Sequence, residues 1–260
     1  SRQENLVGVD TYSGVPITLG NQRDDAGNLL GHQYQTASLH MARVRVHDDV
    51  LSPEQILSNY DEEKVDFISV PLEGIQIAGE LFVDLDAADA SAGTATWMNN
   101  GTAGDFNVVG DPFASDVDGI PTVAFNLNEG PNDAYETANP APAGLTGVQA
   151  TSTIEVWVWN ESVADEESLV SWSRRGPDGL SNMSFNYGVS GSAGAVGRWS
   201  GDMAWSTVPA AGEWHHLAFT YDGSTQIVYS DGVENSRQEN LVGVDTYSGV
   251  PITLGNQRDD

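Results

Sequence analysis

The sequence predicts an all-β fold with one short helix, and three observations lead to this prediction. Residues 154–159 alternate aliphatic side chains with Glu or Trp, which is the two-residue period of a strand. The β-rich runs 217–221 and 226–230 are separated by the turn residues Asp-Gly-Ser at 222–224, which predicts a hairpin. The 28 glycines and 11 prolines are spread between such runs, as is typical of many short strands joined by turns.

A further strand and the helix are predicted next to one another. Residues 37–49 alternate in the manner of a strand. Ser52 then suits a helix N-cap, and Pro53 suits the first helical position. The apolar residues that follow at helical spacing are Ile56, Leu57 and Tyr60. The pattern predicts a helix of about nine residues over 52–60.

The segment after the predicted helix is too apolar for a flexible tether. About half of the positions in 64–77 are apolar, and exposing each large side chain costs on the order of 1.5–3 kcal/mol relative to burial. These residues are Val65, Phe67, Ile68, Val70, Leu72, Ile75 and Ile77. We therefore expect ordered β-structure between the helix and a strand at 81–85, with the units on either side held in one fixed orientation.

A perfect internal repeat sets the organisation of the chain. Residues 1–25 recur without change as residues 236–260, an offset of 235 positions. A fixed long period indicates repeat architecture. Two explanations stay open: a window on a tandem array of near-identical 235-residue units, or a permuted or domain-swapped subunit in which 26–62 completes a neighbour. Both predict neighbouring identical repeats or subunits as partners in a polymer.

The charge balance excludes several classes of partner. The chain has 38 acidic and 10 basic residues, for a formal net charge of −28, and Lys64 is its only lysine. We expect no nucleic-acid partner, because nucleic-acid affinity depends on Lys and Arg neutralising phosphates. No apolar run approaches the roughly 18 residues of a membrane span, so no membrane insertion is expected. The absence of cysteine excludes disulfides and thiolate metal sites.

The hairpin region carries the most specific motif of the chain. Its residues are Trp214, His215 and His216, then Thr-Tyr-Asp-Gly at 220–223, then Tyr229, Asp231 and Gly232. This pattern resembles the signature hairpin of the laminin-G-like family of concanavalin A-like jelly rolls. The strand and turn at 16–28, the strand and helix at 42–60 and the opening strand region 81–102 are similar to the same family. The resemblance implies a jelly-roll β-sandwich of two antiparallel sheets with one short C-terminal helix.

The order of these elements differs from the order in the family. There the hairpin comes first and the closing strand and helix come last, whereas here 26–62 precedes the opening strand near residue 80. The resemblance therefore implies that 1–62 is the C-terminal part of one repeat and 63–79 an ordered inter-repeat connection. Residues 80–260 are then the N-terminal and central part of the next repeat.

Catalysis is not expected. Glycoside hydrolases need two carboxylates flanking the scissile bond, and relatives with this jelly roll carry them as clustered acids on one strand. Glu155 stands alone among Val and Trp, and Asp84 and Asp86 lack a partner glutamate. No Ser–His–Asp or phosphate-loop pattern appears, so the sequence favours a protein that is not an enzyme.

Acidic loops are candidate calcium ligands, because Ca²⁺ takes six to eight oxygen ligands, commonly from loops. The candidates are Asp84, Asp86, Asp116, Asp118 and Asp133. The alternative is composition alone, since a chain with 38 acids contains close acidic pairs without any ion. Relatives also place an acidic residue at the start of the closing strand, where this sequence has Ala42 and Arg43.

Four tryptophans in predicted loops or strand ends are candidate platforms for a sugar ring. They are Trp97, Trp172, Trp199 and Trp205. The last two share one loop-rich stretch, Gly-Arg-Trp-Ser-Gly-Asp-Met-Ala-Trp-Ser at 197–206. The alternative is that these side chains cover the edges of the sandwich core, where partly buried Trp is common.

Two non-enzymatic functions follow from these observations. The first is a structural or adhesive repeat of a long extracellular or cell-surface protein or filament, of bacterial type. The second is a lectin-like module that binds surface glycans with the assistance of calcium.

Overall fold

Two packed β-sheets with a helix on the outer side of one of them form the architecture in the computed structural model, which describes residues 17–22, 37, 39–68, 75–125, 133–176 and 179–257. The strands are β1 (Ile17–Gln22), β2 (His40–His47), β3 (Leu81–Asp86), β4 (Thr96–Trp97), β5 (Phe106–Val109), β6 (Phe113–Val117), β7 (Ile120–Ala124), β8 (Ala134–Pro140), β9 (Gly147–Val148), β10 (Ser152–Trp159), β11 (Ser168–Ser173), β12 (Asn182–Asn186), β13 (Val196–Gly197), β14 (Trp214–Tyr221), β15 (Gln226–Ser230), β16 (Val233–Gln238), β17 (Asp245–Thr246) and β18 (Pro251–Gln257). The α-helix is α1 (Pro53–Ile68), and a single 3₁₀ turn lies at Ala143–Leu145.

The strands form two large sheets. The first sheet has the order β13-β12-β11-β1-β18-β8-β5-β4. The second has the order β16-β15-β14-β10-β2-β7-β6, and β3 also pairs with β2. Neighbouring strands are antiparallel, except for β1 and β18, which are parallel and in register. This arrangement confirms the predicted all-β sandwich.

The strands predicted from alternation are present. The predicted hairpin is β14–β15, and its turn is held by Asp222, whose Oδ1 accepts the N–H groups of Ser224 and Thr225 at 2.8 and 2.6 Å. Residues 37–49 contain β2, and 81–85 form most of β3. Period-two patterns and turn residues were therefore sufficient to locate these elements.

Strand β10 is buried on both faces, although its alternation suggests one wet face. Ile154, Val156 and Val158 belong to the main core between the sheets. Glu155 and Trp157 point to the other side and are only 1% exposed, because α1 covers that face of the second sheet. The helix therefore creates a second buried layer.

The helix begins where the sequence predicts it. The Ser52 N–H donates to Gln55 Oε1 at 2.8 Å, and the Gln55 N–H donates to Ser52 Oγ at 3.2 Å, which is a capping box. The expected length of about nine residues is wrong, since α1 has 16 residues and ends at Ile68. The helix is longer than predicted because the polar run 61–64 continues it and carries it on to Ile68.

The expectation of β-structure over 64–77 is also wrong where it is described. Residues 64–68 are helical, and 75–78 have no regular secondary structure, while 69–74 lie outside the described residues. Phe67 stacks on Trp157 of the same sandwich, with ring centroids 3.9 Å apart, and Ile77 is 52% exposed. Phe67 therefore serves the packing of α1. Whether 63–79 connects two repeats stays a prediction.

The N-terminal part of the chain contributes to the same sandwich as the rest. Strand β2 pairs with β10 on one edge and with β3 and β7 on the other. The division into two repeat parts stays a prediction. In a tandem array, the position of β2 beside β10 would be filled by the equivalent strand of a neighbouring repeat. Residues 1–16 and 23–36, with most of the strand-and-turn segment expected at 16–28, lie outside the described residues. In the described part, no helix has the length and apolar character needed to cross a membrane.

Candidate functional site: a cleft beside Trp199

A cleft lies beside β13, which is the outermost strand at one end of the first sheet. It consists of two adjoining recesses of about 590 and about 370 Å³, which share Ser192 and Asp202. Its wall is formed by the loops after β10, β11, β12 and β13 and by Gln238 at the end of β16. Besides the shared pair, the smaller recess is lined by Asp165, Glu166, Arg175, Ser190, Ala193 and Trp199.

Hydrogen bonds from backbone N–H groups to the Asp202 side chain set the position of Trp199. Asp202 Oδ1 accepts the N–H groups of Arg198 and Trp199 at 2.7 and 2.8 Å. Trp199 and Ser200 have φ values of 57° and 89°, a left-handed conformation that non-glycine residues adopt only where the surroundings hold them. The indole is consequently 45% exposed at the cleft.

An arginine and a carboxylate stand beside this indole. The Arg175 guanidinium lies 5.2 Å from the centroid of the Trp199 ring, and its Nη2 is 3.3 Å from Glu166 Oε2. Burial raises the pKa of Glu166, the charge of Arg175 opposes this, and the nearby Asp202 charge raises it further. The cleft thus combines an aromatic face, a cationic donor, acidic acceptors and serine hydroxyls.

The structure separates Trp199 from the other three predicted tryptophans. Trp97, Trp172 and Trp205 are 0%, 1% and 6% exposed. Their indole N–H groups donate to the backbone oxygens of Asp86, Leu145 and Gly194 at 3.2, 2.9 and 3.0 Å. Buried rings with satisfied N–H groups present no face to a ligand. These three tryptophans therefore pack in the core, and the expectation that they bind a sugar ring does not fit their positions.

The five predicted calcium ligands are not brought together. Asp84 and Asp86 lie on β3 and face arginines: Asp84 Oδ1 is 3.7 Å from Arg45 Nε, and Asp86 Oδ2 is 3.5 Å from Arg43 Nη2. Among the described residues, no group of three or more His, Asp or Glu converges in the manner of a metal site.

The remaining candidate ligands have local roles. Asp116 and Asp118 belong to the β6–β7 hairpin, where Asp118 has a φ of 53° in the turn. Asp133 precedes β8 and accepts the N–H of Asp111 at 2.7 Å. Calcium binding by these five residues as one set is therefore not supported by their positions.

Most of the cleft was missed by sequence reasoning. The sequence singles out Trp199 but not the other residues: Glu166 and Arg175 come from other loops, and nothing in the pattern around Asp202 indicates that its side chain binds the backbone of Trp199. One signal was available: with only 10 basic residues in the chain, the Arg174-Arg175 pair is an unusual concentration of positive charge.

Comparison with known proteins agrees with this architecture. Residues 129–260 match the family described as the concanavalin A-like lectin/glucanases superfamily. Since the match covers half of the chain, the protein belongs to this superfamily, and the resemblance seen in the sequence is confirmed. A search of curated proteins gave no match.

A solved structure with a similar fold is domain 4 of AbnA, a GH43 extracellular arabinanase from Geobacillus stearothermophilus, in complex with arabinotriose. The two chains are 20% identical with a TM-score of 0.45, and the alignment covers 62% of this chain and 77% of that chain. Arabinotriose is a ligand of that domain, and nothing about a ligand of this chain follows from it.

Proposed function

We propose that this protein is a non-enzymatic carbohydrate-binding module whose site is the cleft beside Trp199. The observation that carries the proposal is the partly exposed Trp199 indole, held in place by Asp202 and flanked by Arg175 and Glu166. Sugar rings have an apolar face that stacks on an indole and hydroxyls that bond to charged groups, and binding pockets combine such features.

The charges of the cleft favour a neutral glycan. Asp165, Glu166 and Asp202 line the smaller recess together with one cation, Arg175. Uronate or sulfate groups would meet these carboxylates and a chain of net charge −28. Hydroxyl groups, in contrast, can donate to the carboxylates and accept from the guanidinium.

Trp199→Ala tests the proposal. Affinity electrophoresis against neutral polysaccharides is expected to show retention of the wild type. The variant should lose affinity on the order of tenfold or more, because the stacking surface is removed. Its Tm should fall by less than about 3 °C, since the ring is not part of the core.

Met98→Ala is a matched control. Met98 is 58% exposed and follows β4, at the opposite end of the first sheet from β13. This variant should bind like the wild type. Failure of the wild type to bind any neutral polysaccharide, or equal binding by Trp199→Ala, would contradict the proposed site.

A second function, that of an adhesive repeat unit in an extracellular or cell-surface polymer, is supported by a separate observation. The two copies of the repeated segment pair with the same neighbouring strands, so a single sandwich needs only one of them. In an array, the other copy belongs to the neighbouring unit. The intact mass of the native protein tests this role: several multiples of a 235-residue unit are expected, and a mass of 27.7 kDa would contradict a covalent array.

A further inference from the structure

The two copies of the repeated segment, as β1 and β18, lie against the same two strands of the first sheet. Thr18 and Thr253 occupy equivalent positions in the copies, and both pair with Ser171 of β11. On the other side, β1 pairs with β8 through Leu19, and β18 pairs with β8 through Pro251. Both copies are thus directed to one place in the fold.

In the first sheet, β1 and β18 lie next to each other between β11 and β8, and each of them pairs with both β11 and β8. A strand has two hydrogen-bonding edges, and neighbouring strands lie about 4.8 Å apart. Strand β11 uses one edge for β12, and β8 uses one edge for β5. Each has a single edge left for the repeated segment. Ser171 of β11 is paired with both Thr18 and Thr253, although one edge of a strand can serve only one partner at a given residue, so β1 and β18 compete for the same pairing position.

The bonds made at this position are available to either copy. The Ile252 N–H donates to Thr137 Oγ1 at 3.1 Å, and Ser171 Oγ donates to the Asn256 backbone oxygen at 2.7 Å. The partners lie outside the repeated segment, and β1 has the same residues at the equivalent positions. Leu19 and Leu254 are both fully buried. The position therefore does not distinguish the copies by their sequence.

The two copies differ only in the segments of the chain that flank them. Strand β18 is reached from β16 and β17, whereas β1 leads towards β2. The Ala37 N–H, on the β2 side, donates to the Gly255 oxygen of the other copy at 3.1 Å. Ala37, shortly before β2, therefore lies beside β18.

We propose that β1 and β18 are interchangeable occupants of one strand position between β11 and β8, and that the displaced copy fills the same position in a second copy of this chain. The interaction is strand complementation: the partner supplies Pro-Ile-Thr-Leu-Gly-Asn-Gln as backbone hydrogen bonds and buried side chains. This inference rests on the proposed role as a repeat unit, because that role provides neighbours of identical sequence.

Matched variants of the two copies test the exchange within one chain. Leu19→Asp and Leu254→Asp each place an unpaired charge at a buried position, so the altered copy cannot occupy it. Each single variant should keep cooperative unfolding with a Tm loss below about 3 °C, since the intact copy takes over. The double variant should lose more than about 10 °C. If the double variant does not fold at all while both single variants fold, this outcome supports the proposal in the same way as the large Tm loss.

A clear asymmetry would overturn the proposal. If Leu254→Asp alone costs as much as the double variant and Leu19→Asp costs nothing, the position belongs to β18 only. If each single variant costs as much as the double, both copies are required at once, and they are not interchangeable.

Co-refolding tests the exchange between chains. A tagged double variant has an open position, and untagged wild type has one spare copy, so the two should co-purify after joint dilution from denaturant. The matched partner is untagged Leu254→Asp, whose remaining copy is needed in its own sandwich. Recovery with wild type should exceed recovery with this partner on the order of fivefold, because the latter must give up an intramolecular contact.

Equal or no recovery with the two partners would overturn complementation between chains. This outcome is distinct from failure of the repeat role. The native mass decides whether the units are covalently linked, whereas the co-refolding result depends only on the strand position.

Discussion

Glu155 shows how one buried charge joins three elements of the fold. Its carboxylate oxygens lie 3.5 Å from His47 Nε2 of β2 and 3.4 Å from His216 Nε2 of β14. Asn59 of α1 donates to it from Nδ2 at 2.8 Å. Burial acts to raise the pKa of Glu155, but His216 and His47 outweigh burial and lower this pKa to about 2.

The first prediction concerns the pH dependence of stability. A carboxyl whose pKa is lowered on folding stabilises the native state above its unfolded pKa of about 4.3, and this contribution is lost as the pH falls towards the folded value. Glu155→Gln should therefore be less stable than the wild type at pH 7 by on the order of 3 kcal/mol, and the difference should shrink between pH 4.5 and 2. Urea unfolding at several pH values measures it.

Glu234→Gln is the control for this prediction. The Glu234 side chain is 42% exposed and pairs with Arg237 on the surface of β16, so its removal should change stability little at any pH. A difference between wild type and Glu155→Gln that stays constant from pH 7 to pH 2 would show that Glu155 does not act through its charge.

The network around Glu155 could not be predicted from the sequence. In the sequence Glu155 is an isolated acid, because its partners are far away along the chain. In the sheet, Glu155 is directly opposite Arg45 and Ala218, and the two histidines lie two positions further along those strands, within diagonal reach. Strand register, which the sequence does not specify between remote strands, is what brings them together.

At the scale of elements, α1 binds the second sheet through a stripe that is partly polar. Ile56, Asn59 and Glu63 are buried on the side that faces the sheet. Glu63 Oε1 lies 2.6 Å from Arg45 Nη1, and Phe67 stacks on Trp157. The helix is thus fixed by apolar contacts at both ends and by charged groups in the middle.

The second prediction tests the contribution of the last helical turn. Phe67→Ala removes the ring that stacks on Trp157 at 3.9 Å and also packs against Trp214, with centroids 5.3 Å apart. Because Phe67 is partly exposed, the free energy of unfolding should fall by about 2 kcal/mol, less than for a fully buried Phe. Guanidinium unfolding followed by tryptophan fluorescence gives this value.

Leu57→Ala provides the comparison on the same helix. Leu57 is 45% exposed, so this substitution should cost less than about 0.5 kcal/mol. Since Ala has the highest helix propensity, neither loss can come from propensity, and equal losses for the two variants would show that the stacking of Phe67 on Trp157 contributes nothing of its own.

The start of α1 was predictable, whereas its end was not. The capping box of Ser52 and Gln55 is a local signal. The second half of the helix contains Asp, Glu and Lys, and the buried Glu63 and the partly buried Phe67 are stabilised by Arg45 and Trp157 from other elements. The burial of Trp97, Trp172 and Trp205 could not be predicted for the same reason, since it depends on which remote strands cover each ring.

At the scale of the whole molecule, the acidity is concentrated on the surface. The formal net charge is −28, and three of the nine arginines, Arg45, Arg174 and Arg198, are buried. Arg198 lies 4.6 Å from the Tyr221 ring centroid and donates from Nε to Gln226 Oε1 at 2.9 Å. These cations therefore stabilise the interior and do little to offset repulsion between surface carboxylates.

The third prediction follows from this charge distribution. Screening weakens repulsion between exposed charges, with a Debye length of about 10 Å at 0.1 M salt and about 3 Å at 1 M. The Tm should therefore rise by about 3–8 °C between 0.02 and 0.5 M NaCl.

Because Asp84 and Asp86 face arginines and Asp133 binds the Asp111 backbone, calcium should raise the Tm no more than magnesium does at equal ionic strength. Calorimetric scans in matched CaCl₂ and MgCl₂ decide the matter, and a Tm increase specific to calcium that disappears in Asp84→Asn would restore the calcium site first expected from the sequence.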